Sequence, residues 1–448
     1  MPTISPDSLF GDERRLRRAH VVLTYVMHSY IHSAEHDTAS PILIPSSLAV
    51  PVVAVSRELG VPPILTYADT VLWNWKLNTQ QTPTPPVGRL RSNSALPALG
   101  PPSTDISTRT SFTCTPDENH FYITSALIEL RGVEALGLMR RTLDETFLSD
   151  ALATRRVTGF LTRLARVIED ITQLILDVRK NCDPGVFYEK IRPWFHGATA
   201  HGRMGWHFEG VELSDREKQA WGVLSGPSAG QSSLIHALDV FLGVDHTQYG
   251  SQRSVSSSSN SATPAPQSHA AATSASTPAP TPSSSSTSPT TSPHSPYTSP
   301  DATFLQRMQQ YMPRHHRAFL QYLGTVEKPV RPFVTKCGVV TPPPSAFRSF
   351  QRSSTALVVE GEEEKAEAPL KRAYNDAVDA LKRFRDAHIR IAALYIVTQS
   401  RKQSAIPFHV PSAAVETSRK SRATGTGGTQ LVPFLKGARD NTLRTALQ

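Results

Sequence analysis

His388 stands among apolar residues that recur along one face of what reads as a long helix from about Pro369 to Val397, with Leu370, Tyr374, Ala377, Leu381, Phe384, Ile391 and Tyr395. A neutral imidazole presented by a helix to an apolar pocket is a common way to hold a porphyrin iron. The same spacing also suits a core histidine bonded to a neighbour. Arg385, three residues earlier on an adjacent stripe, could meet an acidic group beside such a pocket or lie solvated.

Other groups offer complementary chemistry. Phe121, Ser125 and Ile128 share a helix face that supplies aromatic wall and one hydroxyl, while Phe187, Tyr188 and Arg192 crowd into residues 185–192. There the guanidinium could clamp a carboxylate bidentately; an aromatic core beside a surface arginine is the plainer alternative. Pro193 disfavours helical angles at the residue before it, so a helix end is expected at Arg192. Ser228-Ala229-Gly230 opens a serine-rich segment before the apolar run Leu234 to Val244. Its small side chains suit a flat cofactor approaching the backbone, or simply a helix cap. The stretch Gly425 to Thr429 lacks the lysine of a phosphate loop, which leaves a lid or a linker. No Ser/His/Asp order, HExxH helix or paired carboxylates stand out, so hydrolase chemistry has no support.

These residues need helices to position them. Apolar residues from Val157 to Val178 recur at helical spacing, and strand-like alternation is scarce beyond the amino-terminal part, so the fold class is mainly α. Residues 1–77 read as a small amino-terminal domain and 78–108 as a Pro/Ser-rich connector. Residues 109–247 and 301–448 read as two parts of one large helical domain, separated by a Ser/Pro/Thr-rich insert, 248–300, too poor in apolar residues to offset the entropy of ordering. An acidic stretch, 360–367, reads as an exposed turn, and residues 402–428 as a mobile loop. The net charge of +9 is scattered among acidic residues with no basic block interleaved with aromatics, which argues against nucleic acid. Three distant cysteines suggest neither disulfides nor a zinc site, and no apolar run is long enough to span a bilayer, so a soluble, cytoplasmic chain is expected.

Seven collinear blocks carry a resemblance to the indoleamine 2,3-dioxygenase family: Val61 to Trp75 (VPPILTYADTVLWNW), His120 to Glu129 (HFYITSALIE), Ile191 to Gly197 (IRPWFHG), Gly226 to Gly243 (GPSAGQSSLIHALDVFLG), Tyr311 to Leu320 (YMPRHHRAFL), Phe384 to Ile391 (FRDAHIRI) and Gly425 to Leu435 (GTGGTQLVPFL). The resemblance implies haem b, ferrous when active, between a small amino-terminal domain and a large all-helical one, with His388 as the iron ligand. It places Ser125, Phe121, Phe187, Arg192 and Ser228-Ala229-Gly230 over the distal face. Tyr67, Thr70 and Val71 would line the indole pocket, Arg192 would hold the substrate carboxylate and Thr426 its ammonium side. Arg385 would lie by a haem propionate with Asp239 as partner. The implied reaction is opening of the indole ring of L-tryptophan by O2, by a monomer served by an electron donor. A non-catalytic haem protein, an O2 carrier or sensor, is the alternative on the same fold; it has no use for Arg192 and Thr426 as groups that grip an amino acid.

Overall fold

The helical spacing of residues 157–178 is realised as part of one long helix in the computed structural model, which describes residues 3–33, 40–78, 105–148, 150–200, 203–221, 223–246, 303–326, 330–337, 368–404, 425 and 431–448. Residues 79–104 of the expected connector, the insert, the acidic stretch, most of the 402–428 loop and Thr426 lie outside the described residues. In chain order the elements are α1 (Glu13–His32), β1 (Ile42–Ile44), α2 (Ser46–Leu59), β2 (Trp75–Leu77), β3 (Ile106–Thr108), α3 (Pro116–Thr146), α4 (Ala151–Asn181), the single turn α5 (Pro184–Val186), β4 (Trp206–Phe208), α6 (Asp215–Trp221) and α7 (Ser233–Leu242). The chain continues with α8 (Phe304–Gln309), α9 (Arg314–Gly324), α10 (Val330–Cys337), α11 (Pro369–Ala392), α12 (Thr398–Ser404) and α13 (Leu431–Arg444). The fold is mainly α.

The body is built on α4, which packs along both α3 and α11. Val157, Leu161, Leu164, Ile168 and Ile171 point inward at helical spacing and are all buried. Each such side chain contributes about 1.5–3 kcal/mol by leaving water, which is why the apolar stripe, more than intrinsic propensity, holds the helix in place. Asp150 caps α4, its carboxylate accepting from Ala153 N at 2.6 Å. Thr115 caps α3 in the same way, accepting from Glu118 N at 3.3 Å, with Pro116 at the first helical position. The α7 helix stops at Gly243, whose φ of 75° suits a residue without a side chain. Tyr374 of α11 donates to Leu242 O at 2.6 Å, so the end of α7 is fastened to the bundle.

The few strands form two short pairs. β1 runs parallel to β4 in the register Ile42↔Trp206 and Ile44↔Phe208, and β2 runs antiparallel to β3. β3 falls in the stretch expected as a connector: Ile106 is buried, and pairing with β2 orders residues that their polar composition made look irregular. His28 of α1 reinforces the tie to the helical body by donating from Nδ1 to Trp194 O at 2.9 Å while Nε2 accepts from Leu65 N at 3.2 Å. No helix among the described residues is long and apolar enough to cross a membrane.

A Ser/His/Asp chain does form, unseen in the sequence because its members come from three separate segments. His20 Nδ1 lies 2.7 Å from Asp69 Oδ1 and Nε2 lies 3.1 Å from Ser56 Oγ. All three side chains are fully buried, and the serine proton is given to Val52 O at 2.7 Å. No nucleophile is on offer there. Asp69 instead accepts through Oδ2 from the backbone and hydroxyl of Thr66, at 2.8 and 2.7 Å, and so fixes the turn that carries Tyr67 and Thr70.

Candidate active site

Three five-residue π-helical turns occur among the described residues: Ala68–Leu72, Phe187–Ile191 and Ala393–Val397. All three border one chamber, about 270 Å³ of which has room for the centres of water molecules. A π turn holds one residue more than an α turn and rotates the remainder of the helix by roughly 100°. That extra residue turns side chains toward a space that a straight helix would pack shut. Of the thirteen residues expected to contact oxygen, substrate or cofactor, twelve border this chamber: Tyr67, Thr70, Val71, Phe121, Ser125, Phe187, Arg192, Ser228, Ala229, Gly230, Arg385 and His388. Thr426, the remaining one, is outside the described residues, but Gly425 beside it lies on the chamber wall.

His388 is half-buried and opens on the chamber, and neither ring nitrogen makes a hydrogen bond among the described residues. Burial, helped by the positive charge of Arg385, lowers its pKa to about 4, so the imidazole is neutral at pH 7. Arg385 is paired through Nη2 with Asp239 Oδ1, as the sequence suggested. Burial alone would raise the carboxyl of Asp239, but Arg385 and His246 more than offset this and hold it at about 2. His246, which the sequence did not single out, approaches Asp239 Oδ2 at 3.0 Å. The Arg385 Nε atom is buried without a hydrogen-bond partner.

Arg192 is only 6% exposed, and its guanidinium carbon lies 5.3 Å from the centre of the Tyr188 ring. Burial pulls its pKa below the usual guanidinium value. The π turn ends at Ile191 with Arg192 as its cap, so a helix end does fall there, but the departure from helical angles expected before Pro193 does not occur: Arg192 has φ −57° and ψ −35° and starts a 3-10 turn, Arg192–Phe195. A proline fits the first turn of a new helix, where its missing N–H is not needed, so the chain passes from π to 3-10 without leaving helical space. Beside it Phe121, Phe187 and Phe195 pack as an aromatic wall, the first two with ring centres 4.7 Å apart.

Tyr395, read from the sequence on the face that carries His388, meets Phe187 edge-on at 5.6 Å and donates to Cys182 O at 2.6 Å. Sequence reasoning missed another part of this wall, where Phe304 meets Phe434 of α13 at 4.5 Å. Glu129 and Gln231 were passed over although each lies within a segment that carried the resemblance; their bonds to Tyr67 join segments more than 60 residues apart, a pairing that no local spacing reveals.

The sequence profile of the indoleamine 2,3-dioxygenase family matches residues 1–445. The chain belongs to this family. An indoleamine 2,3-dioxygenase of Saccharomyces cerevisiae is 30% identical over 452 residues, covering 98% of this chain and 80% of that one. One from Aspergillus candidus is 29% identical over 429 residues, covering 96% and 80%, and the human indoleamine 2,3-dioxygenase 2 is 27% identical over 450 residues, covering 100% and 83%. This indoleamine 2,3-dioxygenase family member is accordingly an enzyme, an oxidoreductase of a family that depends on haem.

The residues present fit that group. Among the described residues, both nitrogens of a neutral imidazole that opens on the chamber are unengaged, and the buried Arg385 Nε has no hydrogen-bond partner. The first is what an axial ligand requires, and the second is what a carboxylate at the macrocycle's edge would satisfy. Nearby, Gly230 has no side chain where a Cβ would come within 3.0 Å of Phe304, so the small-residue segment keeps both its own path and that ring in place.

Proposed function

We propose that the chain opens the C2=C3 bond of the indole of L-tryptophan with O2 to give N-formyl-L-kynurenine, the first step of tryptophan breakdown by the kynurenine route. Haem b would lie between residues 1–77 and the helical body, with His388 as its axial ligand and Arg385 at its edge. When bound, it supplies the ferrous iron at which O2 is activated. The observation that carries the reading is that a buried guanidinium, Arg192, and a neutral imidazole, His388, border the same aromatic-walled chamber.

The chain's own work is then binding, orientation and exclusion of water. Arg192 would take the substrate carboxylate, a charge-assisted pair made stronger by burial, and Thr426 the ammonium side. Phe121, Phe187, Tyr67 and Val71 would hold the indole by its faces and edges. Ser125 donates its proton to Phe121 O at 3.2 Å and adds a small polar spot without acting as a base. Holding two reactants in register can lower a barrier by up to about 7–11 kcal/mol, the upper range that positioning reaches.

The test is to load the full chain with haem, reduce it, add L-tryptophan and O2, and follow N-formylkynurenine by absorbance. Product is the expected result. Stable O2 binding with no product would overturn the reading and favour an oxygen carrier or sensor.

A further inference from the structure

Glu129 is half-buried, and the proposed reaction does not use its carboxyl. It follows Phe121 and Ser125 at four-residue steps on α3, so the three share one stripe, and Glu129 lies one turn beyond the two that border the chamber. Its Oε1 accepts from the Tyr67 hydroxyl at 2.9 Å and from the Ser232 hydroxyl at 2.6 Å. Tyr67 is held at its other end too: its backbone N donates to Gln231 Oε1 at 2.8 Å, and Gln231 Nε2 donates to Gly226 O at 2.9 Å. One carboxyl thus joins the distal helix, the π turn with its indole-facing residues, and the segment of small residues before α7.

We propose that Glu129 is a positioning residue for the aromatic amino acid, fixing the Tyr67 ring and Ser232 and so setting the shape of the chamber wall against which the substrate's ring packs. This rests on the function proposed above. A brace that was only structural could be apolar at lower cost, since burying a carboxyl is expensive and no cation pairs with it among the described residues. Facing it are two hydroxyl donors, Tyr67 from the start of the π turn and Ser232 from the start of α7; no charged side chain of either element acts on it. Burial pushes its pKa up, which the two donors oppose. The carboxylate binds both hydroxyls in charge-assisted bonds; once protonated it is a weaker acceptor with a proton of its own to place. Substrate affinity therefore falls as pH drops through the titration of Glu129.

The experiment compares the haem-loaded full chain with Glu129→Gln, Tyr67→Phe and the double variant. L-tryptophan binding to the ferric form is titrated spectroscopically from about pH 5.5 to about pH 8, alongside KM, kcat and haem content. Each single change is expected to raise Kd and KM about tenfold with kcat within about threefold, and the double variant to be no worse than the weaker single one. Glu129→Gln should also flatten the loss of affinity at low pH. Wild-type Kd in Glu129→Gln at every pH, or additive losses in the double variant, would overturn the proposal. If Glu129→Gln fails to retain haem, Tyr67→Phe decides, because it keeps the ring and the carboxyl; unchanged Kd there overturns the proposal. A wild type that binds tryptophan but forms no product overturns the dioxygenase reading alone, and the Kd comparison still judges Glu129.

Discussion

The body built from α3, α4 and α11 and the wall around the chamber are made of the same kind of element and obey different rules. In the body, 31-residue helices run without interruption and their inward stripes are apolar: Leu161, Ile168, Ala377 and Leu381 are fully buried. Around the chamber stand π turns at Ala68–Leu72, Phe187–Ile191 and, continuing α11, Ala393–Val397, and the buried side chains that border it include Arg192, Arg385 and Asp239. Regular periodicity fills space, and departures from it leave space. The difference teaches how a helical protein makes room for chemistry: irregular turns open the space, and polar side chains toward the ends of long straight helices, Ser125 of α3 and Arg385 and His388 of α11, border it.

Substitutions should separate the two regions. Arg192→Leu should produce the largest effect on substrate binding, and on the wall alone: at least about 2 kcal/mol of lost tryptophan binding, roughly thirtyfold in KM or more, with an unchanged haem spectrum. A variant as active as the parent would remove Arg192 from the substrate site and blur the comparison. Leu161→Ala should do the reverse, costing about 2–5 kcal/mol of stability by denaturant unfolding while the KM of the folded fraction stays within about twofold. Lowering the pH should act on neither region first but on the bonds that fasten α1 to Trp194 and Leu65. His28 is wholly buried and its pKa is lowered to about 4 by burial, so between roughly pH 6.5 and pH 4 the unfolded chain binds a proton that the folded one refuses. Its contribution is complete above pH 6.5 and is lost as pH falls toward 4, on the order of 3 kcal/mol in all, and His28→Gln should reduce that slope in unfolding measured against pH. The smallest effect belongs to Thr115→Ala, which removes the cap of α3: about 1 kcal/mol of stability, measured by thermal melting, with no change in haem content.

The body was legible because its signal is local. Val157 to Val178 repeat at helical spacing within a single element, and the face from Leu370 to His388 could be read the same way. The site was legible in its members, since the residues chosen from the sequence meet at one chamber, yet its geometry was not. A π turn has no period of its own that distinguishes Phe187–Ile191 from an ordinary helix, and the rule for residues before proline located the helix end at Arg192 but not its helical angles. Contacts between distant segments were equally hidden: His246 on Asp239, Tyr67 on Glu129 and Asp69 on His20 each depend on the tertiary fold to bring them together. β3 was obscured by polar neighbours, because one buried Ile106 among threonine, serine and aspartate carries little pattern.

The most direct measurement is haem binding by the purified full chain and by His388→Ala, read from the Soret band and haem per chain. About one haem per wild-type chain, with the spectrum of a single imidazole ligand, and loss of most haem in the variant are the predicted results. Equal haem content and identical spectra in the two proteins would contradict the assignment of the chamber.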